Sequence, residues 1–293
     1  MSKSVAVGKH KVGTEFPVYA IAEIGINHNG SLESAFKLID AASLAGFNAV
    51  KFQKRNVEIV YSSEELSTER ESVFGKTNGD LKRGLEFGSQ EYSLIAERCS
   101  TVGIDWFASP WDETSVDFLE KMNVIAYKVA SASITDRNLL ERISGTGKPI
   151  FMSTGMSNLE IVKKAISYLD PNNLVLMHTV STYPAANQDL NLSAITTLQQ
   201  EFAQIPIGYS GHEVGLLPTI VAVAKYGAVC VERHITLDRA NWGSDQAASI
   251  EPAGMIRLMR DLRSLPEMYG SGKKEILEKE IPIMKKLRRK DTI

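Results

Sequence analysis

Eight short, largely apolar runs recur along this 293-residue chain, separated by amphipathic stretches. They are 18–25 (VYAIAEIG), 47–53 (FNAVKFQ), 104–109 (IDWFAS), 124–131 (VIAYKVAS), 149–153 (PIFMS), 174–179 (LVLMHT), 205–210 (IPIGYS) and 228–234 (AVCVERH). Each is bounded by turn residues, as expected of a strand buried on both faces. Between them Ala35, Leu38, Ile39 and Ala42, and likewise Val162, Ala165, Ile166 and Leu169, follow helical spacing. Asp136 and Asn158 read as helix N-caps, and Gly46, Gly103 and Gly227 as helix stops just before a strand. Neither a G-x-G-x-x-G turn nor a P-loop is present, which argues against a doubly wound nucleotide-binding sheet. The pattern predicts an α/β chain folded as a (β/α)8 TIM barrel.

The flanks give the domain organisation. Residues 1–16 read as an N-terminal plug or hairpin, 17–269 as the barrel, and 270–293 as a C-terminal linker or helical tail with a basic amphipathic stretch. Residues 54–90 read as a long charged loop after the second strand, and loops of that length are usually functional.

Composition narrows the partners. A net charge of −2 and a pI near 6.3 lack the basic footprint of a nucleic-acid binder. No apolar run approaches the ~20 residues of a membrane helix, and the first residues lack a signal-peptide core. Cys99 and Cys230 are too few and too far apart for a disulfide scaffold or a cysteine metal site. The expectation is a cytoplasmic protein acting on small molecules, with neither nucleic acid nor membrane as partner.

In such a barrel the chemistry sits at the C-terminal ends of the strands. Polar residues there are Glu23, then Lys51 and Gln53, Ser109, Lys128 and Ser131, Ser153, His178 and Ser181, Ser210 and His212, and finally Glu232 and His234. Two lysines and several hydroxyls around one mouth make an anion site, suited to a phosphorylated carboxylate. The plainer reading of each lysine is a salt bridge to a neighbouring glutamate. A Schiff-base aldolase is the rival chemistry. His212 and His234, on adjacent strands, could bind a divalent metal, although a lone buried histidine is more often a hydrogen-bonded core residue. His178 is left in that plainer class, and His28 stays open. Asp245, in the turn after the last strand, could accept hydrogen bonds from sugar hydroxyls or form an Asx turn. Trp242 could stack on a sugar or simply pack.

These residues carry a resemblance. AEIGINHNGSLESAFKLIDAASLAGFNAVKFQ, YKVAS, KPIFMSTGM, STYP, IPIGYSGHEVG and ERHITLDRANWGSDQAASIEP together resemble the sialic acid (nonulosonic acid) synthases, over about residues 16–290. GKTNGDLKRGLEF and the last string are most similar to the branch that makes sialic acid 9-phosphates from a 6-phosphorylated mannosamine or mannose.

The resemblance implies a transferase of carbohydrate biosynthesis that condenses phosphoenolpyruvate with a hexose or hexose phosphate. Lys51, Lys128, Ser131, Ser153 and Ser210 would hold phosphoenolpyruvate, with Ser109 and Ser181 as further polar contacts. His212 and His234 would bind Mn2+ or Mg2+. Gln53, Tyr183 and Asp245 would hold the sugar. Glu23 would be a ligand or a base for the attacking water, and the catalytic set would be Glu23, Lys51 and Lys128. Neither lysine would form a Schiff base, and the working form would be a homodimer. The family's C-terminal antifreeze-like domain would begin where this chain stops. That departure puts sugar selectivity and sealing against water in doubt, with the 54–90 segment as an alternative lid. Lys76, Lys82 and Arg83 in that segment could bind a sugar phosphate or form a solvated charged face. A non-catalytic barrel partner is the further alternative, opposed by the complete set of Glu23, both lysines and both histidines.

Overall fold

The structure, a computed structural model, describes residues 4–290. Strands β1 (Ser4–Val7) and β2 (His10–Gly13) pair as an antiparallel hairpin. Strands β3 (Tyr19–Gly25) and β4 (Ala49–Lys54) begin the main sheet, and β5 (Glu69–Ser72) and β6 (Gly75–Thr77) pair as a second hairpin. The main sheet continues with β7 (Asp105–Pro110), β8 (Tyr127–Val129), β9 (Ile150–Ser153), β10 (Leu174–Thr179), β11 (Ile207–Gly211) and β12 (Cys230–His234). Its strands are all parallel, run in chain order and close into a barrel where β12 meets β3. Each of the eight apolar runs holds one of these strands, so the chain is a (β/α)8 barrel.

Helices cover the outside. Helix α1 (Leu32–Ala45) buries Ala35, Leu38, Ile39 and Ala42, the stripe read from the sequence. Within the insertion lie α2 (Val57–Val60), α3 (Ser63–Ser67) and α4 (Asn78–Gly84). The outer ring resumes with α5 (Ser89–Val102), α6 (Glu113–Lys121), α7 (Arg137–Ser144), α8 (Leu159–Ile166), α9 (Ala194–Glu201), α10 (Leu217–Ala224) and α11 (Pro252–Tyr269). Asp136 and Asn158 cap α7 and α8 by accepting from Leu139 N and Ile161 N. Gly46 and Gly103 end α1 and α5 in the left-handed conformation.

The inside of the barrel is layered by alternate strands, as this fold requires. Tyr19 of β3 stacks on Phe151 of β9 at 5.7 Å, and Phe107 of β7 stacks on the same ring at 5.4 Å. The intervening strands place Lys51 in register with Phe107 and Lys128 in register with Phe151. Charge is thereby interleaved with the aromatic floor. The first hairpin lies at the strands' N-terminal ends: His10 packs edge-on to Tyr19 and sits 3.9 Å from Asp105, which opens β7.

Residues 54–90 are not the open loop that their charge suggested. Half-buried Glu86 holds Lys54 at 3.2 Å and Arg55 at 2.8 Å, pinning the end of the insertion to its start. Capping boxes at Ser62/Glu65 and Thr77/Asp80 start α3 and α4. The short helices and the β5–β6 hairpin were missed because the polar surface of a small, half-exposed subdomain resembles a loop in sequence. Phe74 at the hairpin tip is wedged against Gly84 and meets Trp242 edge-on at 6.0 Å.

The chain divides into two compact units, one ending at Arg263 and the other beginning at Ser264. The second contains α12 (Ile281–Leu287), with Ile281, Ile283 and Leu287 exposed. Among the described residues no helix is long and apolar enough to cross a membrane, and Cys99 and Cys230 are both free.

A Cβ at Gly84 would collide with the Phe74 ring. Gly84→Ala is therefore expected to loosen the hairpin tip at a local cost of about 1–3 kcal/mol. Limited proteolysis within residues 69–77 should accelerate, while the far-UV circular dichroism stays unchanged.

Candidate active site

Parallel pairing brings the strand-end residues to one mouth. His234 lies opposite Glu23, Glu23 opposite Lys51, and Ser210 opposite Glu232. Glu23, Lys51, Gln53, Lys128, Tyr183, His212, His234 and the five serines assigned to the site line a single cavity of about 200 Å3. Asp245 stands beside it, with Oδ2 3.7 Å from His234 Nδ1.

The deepest part is a buried cluster of four charged side chains. Lys51 Nζ is 3.1 Å from Glu23 Oε2, 3.4 Å from Glu232 Oε1 and donates to Ser109 Oγ at 3.1 Å. Lys128 Nζ donates to Ser153 Oγ at 2.6 Å and lies 3.7 Å from Glu232 Oε1. Ser210 Oγ donates to the same Glu232 oxygen at 3.1 Å. The plain salt-bridge reading of the lysines is thus realised, but as a shared network on the barrel axis.

Burial and pairing split the four groups. Burial pulls the Lys51 ammonium down, but Glu23 and Glu232 together hold it above the usual lysine value. Lys128 has weaker support: burial lowers it to about 8, against the pull of Glu232 and with the push of Lys51. Burial works against the Glu232 carboxylate, yet the two lysines hold it down at about 2. Burial lifts Glu23 above the ordinary range, with Lys51 opposing and Glu232 reinforcing. Two carboxylates in one site are thereby pushed apart, one fixed as an anion and the other poised to carry a proton. Gln53 Nε2 donates to Glu23 Oε1 at 3.1 Å, and Gln53 Oε1 in turn accepts from Arg55.

The rim is aromatic. His212 Nδ1 lies 2.7 Å from the Val180 carbonyl, which can only accept, so the ring proton is on Nδ1. The Nε2 lone pair accepts from Tyr183 OH at 2.9 Å. Burial, then the neighbouring His234, lowers His212 to about 3, which keeps it neutral. The His212 and His234 rings are 5.5 Å apart, and Tyr183 stacks at 4.0 Å on His212. His234 Nδ1 and Glu232 Oε2 are buried without a hydrogen-bond partner, as is Ser181 Oγ. Among the described residues no three histidine, cysteine, aspartate or glutamate side chains already enclose an ion.

Other readings resolve differently. His28 stacks on Phe87 at 4.2 Å, and burial lowers it to about 3. It is a core residue, as is His178, whose Nε2 meets the Leu190 carbonyl at 2.8 Å. Trp242 packs on Phe74 rather than facing the cavity. Of the three basic residues proposed for a sugar phosphate, Arg83 is paired with Glu58 at 2.8 Å and Lys82 lies over the Tyr61 ring at 4.8 Å. None of the three lines the cavity. Glu232 was named only as a strand-end residue. Its signal was there: two residues before His234 on a strand, it faces the same side.

The NeuB family profile matches residues 38–274. This chain belongs to the NeuB family. It is 38% identical over 281 residues to the human N-acetylneuraminate-9-phosphate synthase, covering 94% of this chain and 78% of that protein. To the N,N'-diacetyllegionaminic acid synthase of Legionella pneumophila it is 35% identical over 291 residues, covering 96% and 81%. The crystal structure of the N-acetylneuraminic acid (sialic acid) synthetase of Leptospira borgpetersenii serovar Hardjo-bovis, in complex with citrate, superimposes with a TM-score of 0.84 at 34% identity, covering 99% of each chain. A truncated 3-deoxy-D-arabino-heptulosonate 7-phosphate synthase of Thermotoga maritima, 15% identical with a TM-score of 0.69, shares the barrel fold. The chain is an enzyme of the sialic acid synthase class.

The charge split in this NeuB-family site sets a pH test. Lys128 is cationic below its pKa of about 8 and neutral above it. Binding of sulfate, which does not titrate in this range, should weaken as pH rises through about 8. Calorimetry should find that step in the parent and not in Lys128→Met.

Proposed function

We propose that this enzyme condenses phosphoenolpyruvate with N-acetylmannosamine or its 6-phosphate, giving N-acetylneuraminate or its 9-phosphate and inorganic phosphate. The observation that carries the reading is the pairing of a buried two-lysine, hydroxyl-lined floor with an imidazole–tyrosine rim in one cavity. The floor suits the anionic donor, and the rim suits an uncharged carbonyl acceptor.

In this reading C3 of phosphoenolpyruvate forms the new bond to the sugar's aldehyde carbon, and the aldehyde oxygen takes a proton. Water adds at C2, and C–O cleavage then releases phosphate. Lys51 and Lys128 hold the carboxylate and phosphate with Ser109, Ser131, Ser153, Ser181 and Ser210, offsetting negative charge where it is concentrated. Gln53, Tyr183 and Asp245 orient the sugar. Glu23 accepts the proton of the attacking water, a role for which its raised pKa suits it.

A divalent cation also fits the residues present. His212 offers a neutral ring with its lone pair on Nε2, and His234 has a buried nitrogen without a partner. These two side chains would hold Mn2+ or Mg2+, which would supply Lewis-acid polarisation of the sugar carbonyl. The same reading carries a homodimer working in the cytoplasm.

One observation favours a second chemistry: an amine lowered to about 8, as Lys128 is, suits a Schiff-base nucleophile. A single experiment separates the two. With Mn2+ and phosphoenolpyruvate, phosphate release is expected with N-acetylmannosamine or its 6-phosphate, and the preferred acceptor fixes which product is made. Borohydride with pyruvate should leave Lys128 unlabelled. Labelling of Lys128 without phosphate release would overturn the condensation in favour of an aldolase.

A further inference from the structure

Behind the mouth lies a fully buried ion pair that the reaction does not use. Strand β12 turns Glu232 and His234 inward and Arg233, between them, outward. Arg233 Nη1 is 2.9 Å from Glu213 Oε1, 2.8 Å from the Gly215 carbonyl and 2.9 Å from Thr219 Oγ1. Arg233 Nη2 donates to the Glu213 carbonyl at 2.6 Å. Tyr209 OH and Thr219 Oγ1 donate to the Glu213 carboxylate at 2.7 and 2.9 Å. Both charged side chains are 0% exposed.

The position of this pair in the chain is what matters. Glu213 follows His212 directly, and Arg233 precedes His234 directly. One side-chain bridge therefore ties together the two backbone segments that carry the facing imidazoles. The His212 backbone is tied to a third segment as well: Ala185 N, two residues beyond Tyr183, donates to its carbonyl at 3.0 Å. The fold makes room for the bridge at Gly211, where any Cβ would strike the Glu213 carboxylate and come within 2.7 Å of the Tyr209 ring.

Stability alone gives this arrangement little reason to exist, since a buried ion pair is often matched or bettered by apolar residues of similar volume. We propose that Arg233 and Glu213 are positioning residues that fix the His212–His234 spacing and so set the affinity of this rim for a divalent cation. The inference rests on the metal reading above and goes beyond it by assigning metal affinity to a pair that touches neither metal nor substrate.

The test is calorimetric titration of Mn2+ into the metal-free full chain, without substrates. The paired replacement Arg233→Met with Glu213→Leu removes both charges together, so neither is left stranded. A second variant, Glu213→Gln, keeps the shape and loses one charge, and it serves if the paired one does not fold. The expected result is a folded variant whose Mn2+ affinity falls by about 10–100-fold, the loss typical when groups supporting metal ligands are removed. Phosphoenolpyruvate affinity measured without metal should stay unchanged, and saturating Mn2+ should restore turnover. A folded variant that binds Mn2+ as tightly as the parent overturns the inference alone. A parent that binds no Mn2+ overturns the metal reading, and this inference with it.

Discussion

Everything at this mouth depends on burying four charged groups together. Taking one ammonium or carboxylate out of water costs several kcal/mol even after the protein relaxes. Glu23, Lys51, Lys128 and Glu232 are each at most 3% exposed, so none can be offset by solvent. They are tolerable only as a mutually paired set, with Ser109, Ser153 and Ser210 supplying further hydrogen bonds. That requirement accounts for serines at Ser109, Ser153 and Ser210, where an apolar barrel would place valine or leucine. It also ties the four groups to their places in the barrel, because strands β3, β4, β8 and β12 are the ones that bring these side chains within reach of one another.

The barrel was legible because its signal is local and repeated. A parallel strand covered on both faces must be apolar along its length, so a polar residue within it stands out. Lys51, Lys128 and Glu232 stood out for that reason, and the fold then gathered them. The insertion was not legible. Its stability comes from Glu86 joining Lys54 and Arg55 across the ends, and from Phe74 reaching Gly84 and Trp242. None of these contacts has a periodic trace. The Arg233–Glu213 bridge was hidden for a related reason: outward-facing charges on a barrel strand look like surface residues until a helix and loop are seen to cover them.

The same distinction separates what the basic residues do. Lys51 and Lys128 are almost wholly buried, so their interactions with Glu23 and Glu232 are little screened. Arg83 pairs with Glu58 while about half exposed, at 50% and 61%, where screening leaves such a pair worth ~0–1 kcal/mol. Charge in the sequence therefore carried functional information only where the apolar context guaranteed burial. The basic string in the insertion lacked that context.

The partition of charge also explains why the floor and the rim belong to one device. In the free site Lys51 is held firmly cationic, Glu232 firmly anionic, and Lys128 stands near its titration point. Under the proposed condensation, an incoming phosphorylated carboxylate would compete with Glu232 for both ammonium groups, and its charge would strengthen the cationic form of Lys128. Glu232 cannot leave, because β12 fixes it between two positions that carry the bridge and the rim. One of its oxygens already lacks a hydrogen-bond partner. In that reading an anionic donor raises the negative potential of the cavity, and the imidazoles of His212 and His234 stand at its rim. Under the proposed metal reading, a rim set above a filled anion floor would favour the cation more strongly once the donor is bound than before.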